Sequence, residues 1–359
     1  MQMHHFFRRL PGAAIGLSVA LGSVSCQDSS SDGGSQDDDN GQDDDDDDAT
    51  DDDDDDDDET SGDDDETSGD DDEPSGTGGD DDGTPDGPED GEVELRIPFR
   101  LVAGDEPVAC DEPVEGIGTG EDPPPLQLID AGLFLHGFSL VDGDGEDVPF
   151  RLHQGGDWQL DSLVLLDFAT DAGPWCEAIN SPETNTEVLG YVAEDADVAG
   201  VQFHLGVPDA LNHLSVLDAD PPLSVARMFW SWTAGYRYLK LDFGLERDGT
   251  EGMFLFHPGA EGCDLTDDEY HCDDYRNAAY QVALDPSEEA VALDIAVLWG
   301  QVDLMQSGGC MGSGVVPVPD GEDGETVCPT IYGEIGLDIA DMPAVETGEH
   351  PAFRAMALD

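Results

Sequence analysis

Two histidines, a methionine and a pair of tryptophans are the residues here whose types and spacing suit chemistry. His213 follows the turn-rich segment VPDALN, and His257 ends the apolar run MFLF just before PGAEGC. Each imidazole is expected at the rim of a sheet. Trp230 and Trp232 stand one residue apart in MFWSWTAGYRYLKLD, which begins at Met228, and Gly309-Cys310-Met311 adds a thioether. Imidazole nitrogen and thioether sulfur suit copper(I), whereas the carboxylates crowding this sequence suit calcium or magnesium. A soft-metal site drawing on His213, His257 and Met311 is the sharper reading. The plainer one is that each histidine is structural, the commoner fate of a lone histidine at a strand end.

Other chemistry leaves no signature. There is no G-x-S-x-G elbow, no H-E-x-x-H and no phosphate loop. Paired acids occur throughout, so glycosidase carboxylates cannot be singled out. His136, His153 and His204 fall on strand patterns, His271 lies in an acidic loop, and His4, His5 and His350 lie near the ends of the chain.

The elements that must position these residues are mostly strands. Val93, Leu95, Ile97, Phe99 and Leu101 alternate as on one face of a half-buried strand. Ile129–Val141 and Val148–Leu152 flank Asp142-Gly143-Asp144-Gly145-Glu146, a hairpin turn rather than a calcium loop, since it lacks the sixth-position Gly and the distal Glu. Further strands are expected at 162–168, 187–192, 200–206, 238–245, 252–257 and 279–284. In the fourth of these, Leu239, Leu241 and Phe243 should point inward, with Lys240 and Asp242 outward. Helix signals are confined to 224–232 and 291–299. A strand would put Trp230 and Trp232 on one face; a helix would separate them by about 200°. Many short strands with Gly, Pro and Asp turns predict a mainly β fold, a β-sandwich or partly open barrel with one or two short helices.

The N-terminal quarter reads differently. Arg8 and Arg9 precede the short apolar run Ala13–Val24, so residues 1–25 read as an export signal. Ser23-Val24-Ser25-Cys26 resembles a bacterial lipobox, although Ser23 stands where Leu is usual. Lipidation of Cys26 would anchor the protein to a membrane; plain secretion is the alternative. Residues 27–90 carry 34 acidic and no basic side chains, with DDDETSG at Asp56 and Asp63 and DDDEPSG at Asp70. So little apolar surface cannot offset chain entropy, and 26–91 is expected to be a lipid-anchor cysteine followed by a disordered stalk. Fully extended it would reach roughly 200 Å, and as a flexible coil roughly 45 Å. The folded part, 92–338, is followed by a tail at 339–359 that looks loosely attached.

Beyond the stalk, 53 acids face nine bases. Such a surface argues against nucleic acid or anionic lipid and suits cations or a basic protein. With Cys26 lipidated, Cys110, Cys176, Cys263, Cys272, Cys310 and Cys328 remain. In an exported chain these six suit three disulfides, with local pairs Cys263–Cys272 and Cys310–Cys328 expected among fifteen possible connectivities.

Several segments, in order, resemble the MbnP-like family, the four-Cys partner of a "metallo-mystery pair". They are WQLDSLVLLDF from Trp158, FHLGVPDALNH from Phe203, PPLSVARMFWSWTAGYRYLKLDF from Pro221 and FHPGAEGC from Phe256. The segment from Cys272 to Arg276-Asn277, AVALDIAVLWGQVDL from Ala290 and GGCMGSG from Gly308 complete the set. The resemblance spans roughly 92–337. Departures are His257-Pro258-Gly259-Ala260-Glu261-Gly262-Cys263, where the family usually reads HLGSTGC, and Gly132–Leu135, where it tends to have an RFYV strand.

The resemblance implies an exported copper-binding protein of the periplasm or cell surface that acts in copper homeostasis and is not an enzyme. It further implies that the first tryptophan of W-x-W, here Trp230, is oxidised to kynurenine by MbnH, a dihaem protein of the cytochrome c peroxidase and MauG type. Trp232 would be the unmodified neighbour, and His213 and His257 match family histidines as copper(I) ligands, with Met311 a further candidate. Two rivals start from composition alone: a surface adhesion or carbohydrate-binding module using exposed aromatics, and an exported hydrolase.

Overall fold

The computed structural model describes residues 87–169, 176, 184–266, 269–274, 278–318, 327–337 and 351–358. The expected export signal, Cys26 and most of the acidic stalk lie outside the described residues, as does the 275–277 segment. Among the described residues no helix is long and apolar enough to cross a membrane.

Apolar alternation forms strand β1 (Glu92–Ala103), where Ile97, Phe99 and Leu101 are buried and only the first expected inward residue, Val93, is exposed. The strands that follow are β2 (Gln127–Val141), β3 (Leu163–Asp167), β4 (Glu187–Ala193) and β5 (Gly200–Leu205). After them come β6 (Phe229–Ser231), β7 (Gly235–Tyr236), β8 (Leu239–Arg247) and β9 (Thr250–His257). The last group is β10 (Glu261–Thr266), β11 (Glu269–Asp274), β12 (Ala279–Ala283), β13 (Glu289–Asp294), β14 (Gly309–Met311) and β15 (Phe353–Ala357). Two-residue strands extend the edges.

One sheet runs β15-β13-β1-β4, and the other β12-β5-β2-β8-β9-β14 with β3 attached to β2. Neither closes on itself. Their inner faces meet through aromatic rings: Phe99 of the first sheet packs edge-on to Phe203 of the second at 5.7 Å, and Phe203 meets Phe353 at 5.3 Å. This is an open sandwich, as the alternation predicts. The turn at 142–146 is a hairpin, closed by Asp142 N–H to the Glu146 carbonyl, with Val141 opposite Asp147.

Among the described residues the α-helices are three and short: α1 (Asp209–Asn212), α2 (Ile295–Trp299) and α3 (Val327–Glu334). The helix expected over 224–232 is instead a single 3-10 turn at Ala226–Met228 that passes into β6. That over 291–299 is half strand, because β13 continues to Asp294, whose carboxylate accepts from Ala296 N–H and starts α2 there. The tail also differs from expectation. β15 pairs antiparallel with β13, and Ala352 and Phe353 are buried. The strand pairing, the buried Phe353 ring and the Arg354–Asp294 ion pair at 3.1 Å dock it together.

Three disulfides brace the sandwich: Cys110–Cys176, Cys263–Cys272 and Cys310–Cys328. The second crosses the β10–β11 hairpin, where the two cysteines are register partners. The third ties α3 to β14, and α3 is further held by the Tyr332 hydroxyl donating to the Gly312 carbonyl at 3.0 Å.

Candidate metal centre

The tryptophan pair sits on a two-stranded hairpin. Phe229 pairs with Tyr236 and Ser231 with Gly235, so Trp230 is the extra residue of a bulge between them. A bulge re-aims the side chain it carries. The half-buried Trp230 ring lies against two glycines. A Cβ at Gly259 would come within 3.3 Å of Trp230 Cε3, and one at Gly312 within 3.3 Å of Cη2. The Arg237 guanidinium lies 5.6 Å from the indole centroid. Trp232, by contrast, is 51% exposed and stands edge-on to Phe229.

What holds the hairpin is Asn212, fully buried at the end of α1. Its Oδ1 accepts from Tyr236 N–H at 3.1 Å. Gly235 has φ +73°, and a Cβ there would lie 2.3 Å from the Asn212 carbonyl oxygen, so only glycine fits. Tyr236 packs against Phe134 and Phe229 and donates to the Leu223 carbonyl at 2.8 Å. Burial pushes its phenol up to about 12. It is a packing residue.

His213 follows Asn212 directly. Its Nδ1 lies 3.2 Å from the Trp232 carbonyl, which can only accept, so the ring proton is on Nδ1. Nε2 therefore carries the lone pair, 3.3 Å from the Asn212 side-chain nitrogen and 3.2 Å from Cys272 Sγ. Tyr270 stacks on the ring at 4.7 Å. Burial lowers the His213 pKa, against the opposing pull of the Trp232 carbonyl and Asp209, which favours the neutral imidazole that a metal needs. The ligand atoms of His213, Cys263 and Cys272 all lie within 4.8 Å of one another. Both sulfurs are in the disulfide, however, and offer no thiolate.

His257 ends β9 and is 4% exposed. Its Nε2 lies 2.5 Å from Asp242 Oδ1, while Nδ1 is buried with no hydrogen-bond partner. The carboxylate accepts from Nε2–H, leaving an unused lone pair on Nδ1. Met311 is the register partner of His257 in the parallel β9–β14 pair, and Gly312 N–H donates to the His257 carbonyl at 2.9 Å. The backbone that carries His257, the backbone that carries Met311 and the Trp230 ring thus converge. An orphaned imidazole nitrogen whose register partner on the neighbouring strand carries a thioether suits a soft ion. His213 joins the same hairpin at the Trp232 carbonyl, but turns its lone pair toward the disulfide.

Behind His257 runs a chain of buried charges that the sequence did not disclose. Asp167 pairs with Arg227, Arg227 with Asp130 at 2.6 Å, Asp130 with Lys240, Lys240 with Asp242 at 2.8 Å, and Asp242 with His257. Lys240 and Asp242 do lie opposite Leu239, Leu241 and Phe243, yet that face is covered rather than solvated. Burial alone would raise the Asp242 carboxyl. The hydrogen bond and charge of His257, with the Lys240 ammonium, outweigh it and hold the group below the usual carboxylate range. The sequence carries only a slight signal: Lys240 and Asp242 stand two apart on one strand face, and the other members of the chain come from separate segments.

Other histidines stay apart. His136 and His204 stack at 5.1 Å, and His153 meets the Tyr191 hydroxyl at 2.9 Å.

Fold and site together define a disulfide-braced open β-sandwich with soft-ligand candidates grouped around an aromatic hairpin. The chain belongs to the MbnP family, whose sequence model matches residues 92–312. The solved structure of MbnP from Methylosinus trichosporium is similar, with a TM-score of 0.61 at 27% sequence identity, covering 75% of this chain and 99% of that chain. No curated protein matches it in sequence.

Proposed function

We propose that this is an exported, lipid-anchored copper-binding protein of copper homeostasis, and a substrate of its maturation rather than a catalyst. A dihaem partner of the MbnH type converts Trp230 to kynurenine, and the product side chain completes a copper(I) site with His257, His213 and Met311. Cys26 carries the anchor, and the acidic stalk holds the domain off the outer membrane.

The observation that carries this reading is the buried, unpartnered Nδ1 of His257. An apolar environment does not tolerate such an atom without a partner, and a bound ion would supply one. Asp242 fixes the tautomer and ring orientation, as carboxylates behind metal-bound histidines do. His213 contributes Nε2, its proton being held on the other nitrogen by the Trp232 carbonyl. Kynurenine formation breaks the indole Cγ–Cδ1 bond, the partner's high-valent haem taking the electrons, water supplying the oxygen and Cδ1 leaving as formate, so that an aryl amine and a ketone replace the five-membered ring of Trp230. Family membership and the bulge that sets Trp230 apart from Trp232 support that assignment.

The test is peptide mass analysis and copper content of protein produced with and without the dihaem partner. Kynurenine at 230 and bound copper are expected only with the partner present. An intact Trp230 in protein from the native host would sink the maturation step, and calcium or no metal in that protein would favour a binding module without copper.

A further inference from the structure

The three disulfides are not equivalent. Cys110 and Cys176, and Cys310 and Cys328, are each 2% exposed or less. Cys263–Cys272 instead joins an outlying hairpin, β10–β11, which pairs with neither sheet of the sandwich. Cys272 is half-buried, and its neighbours His271 and Asp273 are exposed. This is the bond an external thiol can reach. It is also the one with an imidazole against it, since His213 Nε2 lies 3.2 Å from Cys272 Sγ with its lone pair turned toward the sulfur.

We infer that Cys263–Cys272 is a redox-gated ligand pair: on reduction, its two sulfurs and His213 Nε2 form a second soft-metal site, specific for copper(I). The step needs a two-electron donor, and a dithiol reductant of the exported thioredoxin-like class supplies it. The dithiol's two hydrogens end on Cys263 and Cys272, the S–S bond breaks, and the reductant leaves as its own disulfide. Binding a cation then releases the two thiol protons to solvent.

The donor set argues for the ion. All three ligand atoms already lie within 4.8 Å of one another, so little rearrangement is required. Thiolates and imidazole select soft ions; two cysteines and a histidine can also hold zinc when water fills the fourth position, so competition between zinc and copper(I) is the arm that decides the ion. The Trp232 carbonyl keeps the proton on Nδ1, and Tyr270 stacking fixes the ring plane. Such a site needs neither His257 nor oxidation of Trp230, but it draws on the same His213 Nε2 as the copper site proposed above, so the imidazole serves one site at a time and the two are tested on separate preparations.

The experiment uses the full-length protein. Limiting dithiothreitol followed by iodoacetamide and peptide mapping should label Cys263 and Cys272 before the other four cysteines. The reduced, unlabelled protein, produced without the dihaem partner so that Trp230 is intact and His213 is uncommitted, should bind one equivalent of copper(I) more than the same protein oxidised, in titration against a chromogenic chelator. His213→Gln should weaken that extra equivalent at least ~10-fold, a loss that even outer-shell partners of a metal can cause. His257→Gln and Trp230→Phe should leave it in place, which separates this site from the proposed kynurenine centre. Alkylated protein should lack it, and this control requires no cysteine substitution that could disturb folding. Labelling of another pair first, no added copper, indifference to His213→Gln, or tighter binding of zinc than of copper(I) would each overturn the inference.

Discussion

His257 Nε2 and Asp242 Oδ1 lie 2.5 Å apart in a buried setting, and this contact decides which imidazole nitrogen is free. With the proton held on Nε2, only Nδ1 can meet an ion. Asp242→Asn removes the charge but keeps the shape. Copper(I) affinity in competition titrations should fall about 10–100-fold, the usual cost of losing an outer-shell carboxylate. Unchanged affinity would mean that His257 is not a ligand.

The same carboxylate makes an acid-stability prediction. Asp242 faces His257 on β9, Lys240 on its own strand and the charge of Arg237, and is held below its ordinary value despite burial. The unfolded chain therefore takes up this proton at a higher pH than the folded chain. Stability from the group is full above about pH 4 and is lost as pH falls through the folded value. Thermal melts of metal-free protein should show a shallower acid limb for Asp242→Asn than for wild type. Parallel limbs would refute the linkage.

Arg227 is the keystone of the charge chain, contacting Asp130 and Asp167, both buried. Arg227→Met should destabilise the protein by about 3–5 kcal/mol, because two buried carboxylates lose a charged partner, although Asp130 keeps Lys240 and Asp167 keeps the Ala169 N–H. Arg96→Met, which breaks exposed pairs with Glu94 and Glu187, should cost about 0–1 kcal/mol. Urea denaturation of the two variants measures the contrast.

The strands were legible because apolar alternation is local. Leu239, Leu241 and Phe243 announce an inward face wherever β8 finally lies. What lies opposite Lys240 and Asp242 depends on Asp130, Arg227 and His257, which are distant in sequence, so a covered face read as a solvated one. The helical reading of 224–232 failed for a related reason. The hairpin is imposed by Asn212 and Gly235, not by the propensity of Ala226–Trp230. Candidate ligands could be picked by type, but the orientation of His213 toward Cys272 follows from the placement of α1 against β11. Docking of the tail by Phe353 likewise needs the aromatic cluster around Phe203 and Tyr280, assembled from three strands.

Gly235 tests the clamp on the hairpin. Its φ of +73° and the Asn212 atoms within 2.6 Å of a Cβ position mean that Gly235→Ala adds both backbone strain and a clash with the backbone. A loss above about 2 kcal/mol is expected, since left-handed backbone alone costs an alanine about 1–2 kcal/mol. Gly249, at φ +80° with open space around it, is the control and should show only that smaller cost. Equal losses in denaturant titrations would show that the Asn212 contact is not restrictive.

The two tryptophans should separate cleanly on substitution. Trp230 packs over Gly259 and Gly312 beside the Met311 strand, whereas Trp232 is 51% exposed and lends the site its carbonyl rather than its ring. Trp230→Phe should therefore abolish the partner-dependent kynurenine and the copper that depends on it. Trp232→Phe keeps the backbone carbonyl that orients His213 and should retain both. Met311→Leu provides the third arm: as a volume-conserving change it should cost less than about 1.5 kcal/mol in stability, while weakening copper(I) if the thioether is a ligand. Mass spectra and copper content of the three variants, each expressed with the dihaem partner, decide the matter. Kynurenine at 232 in any of them would reverse the assignment of roles within the pair.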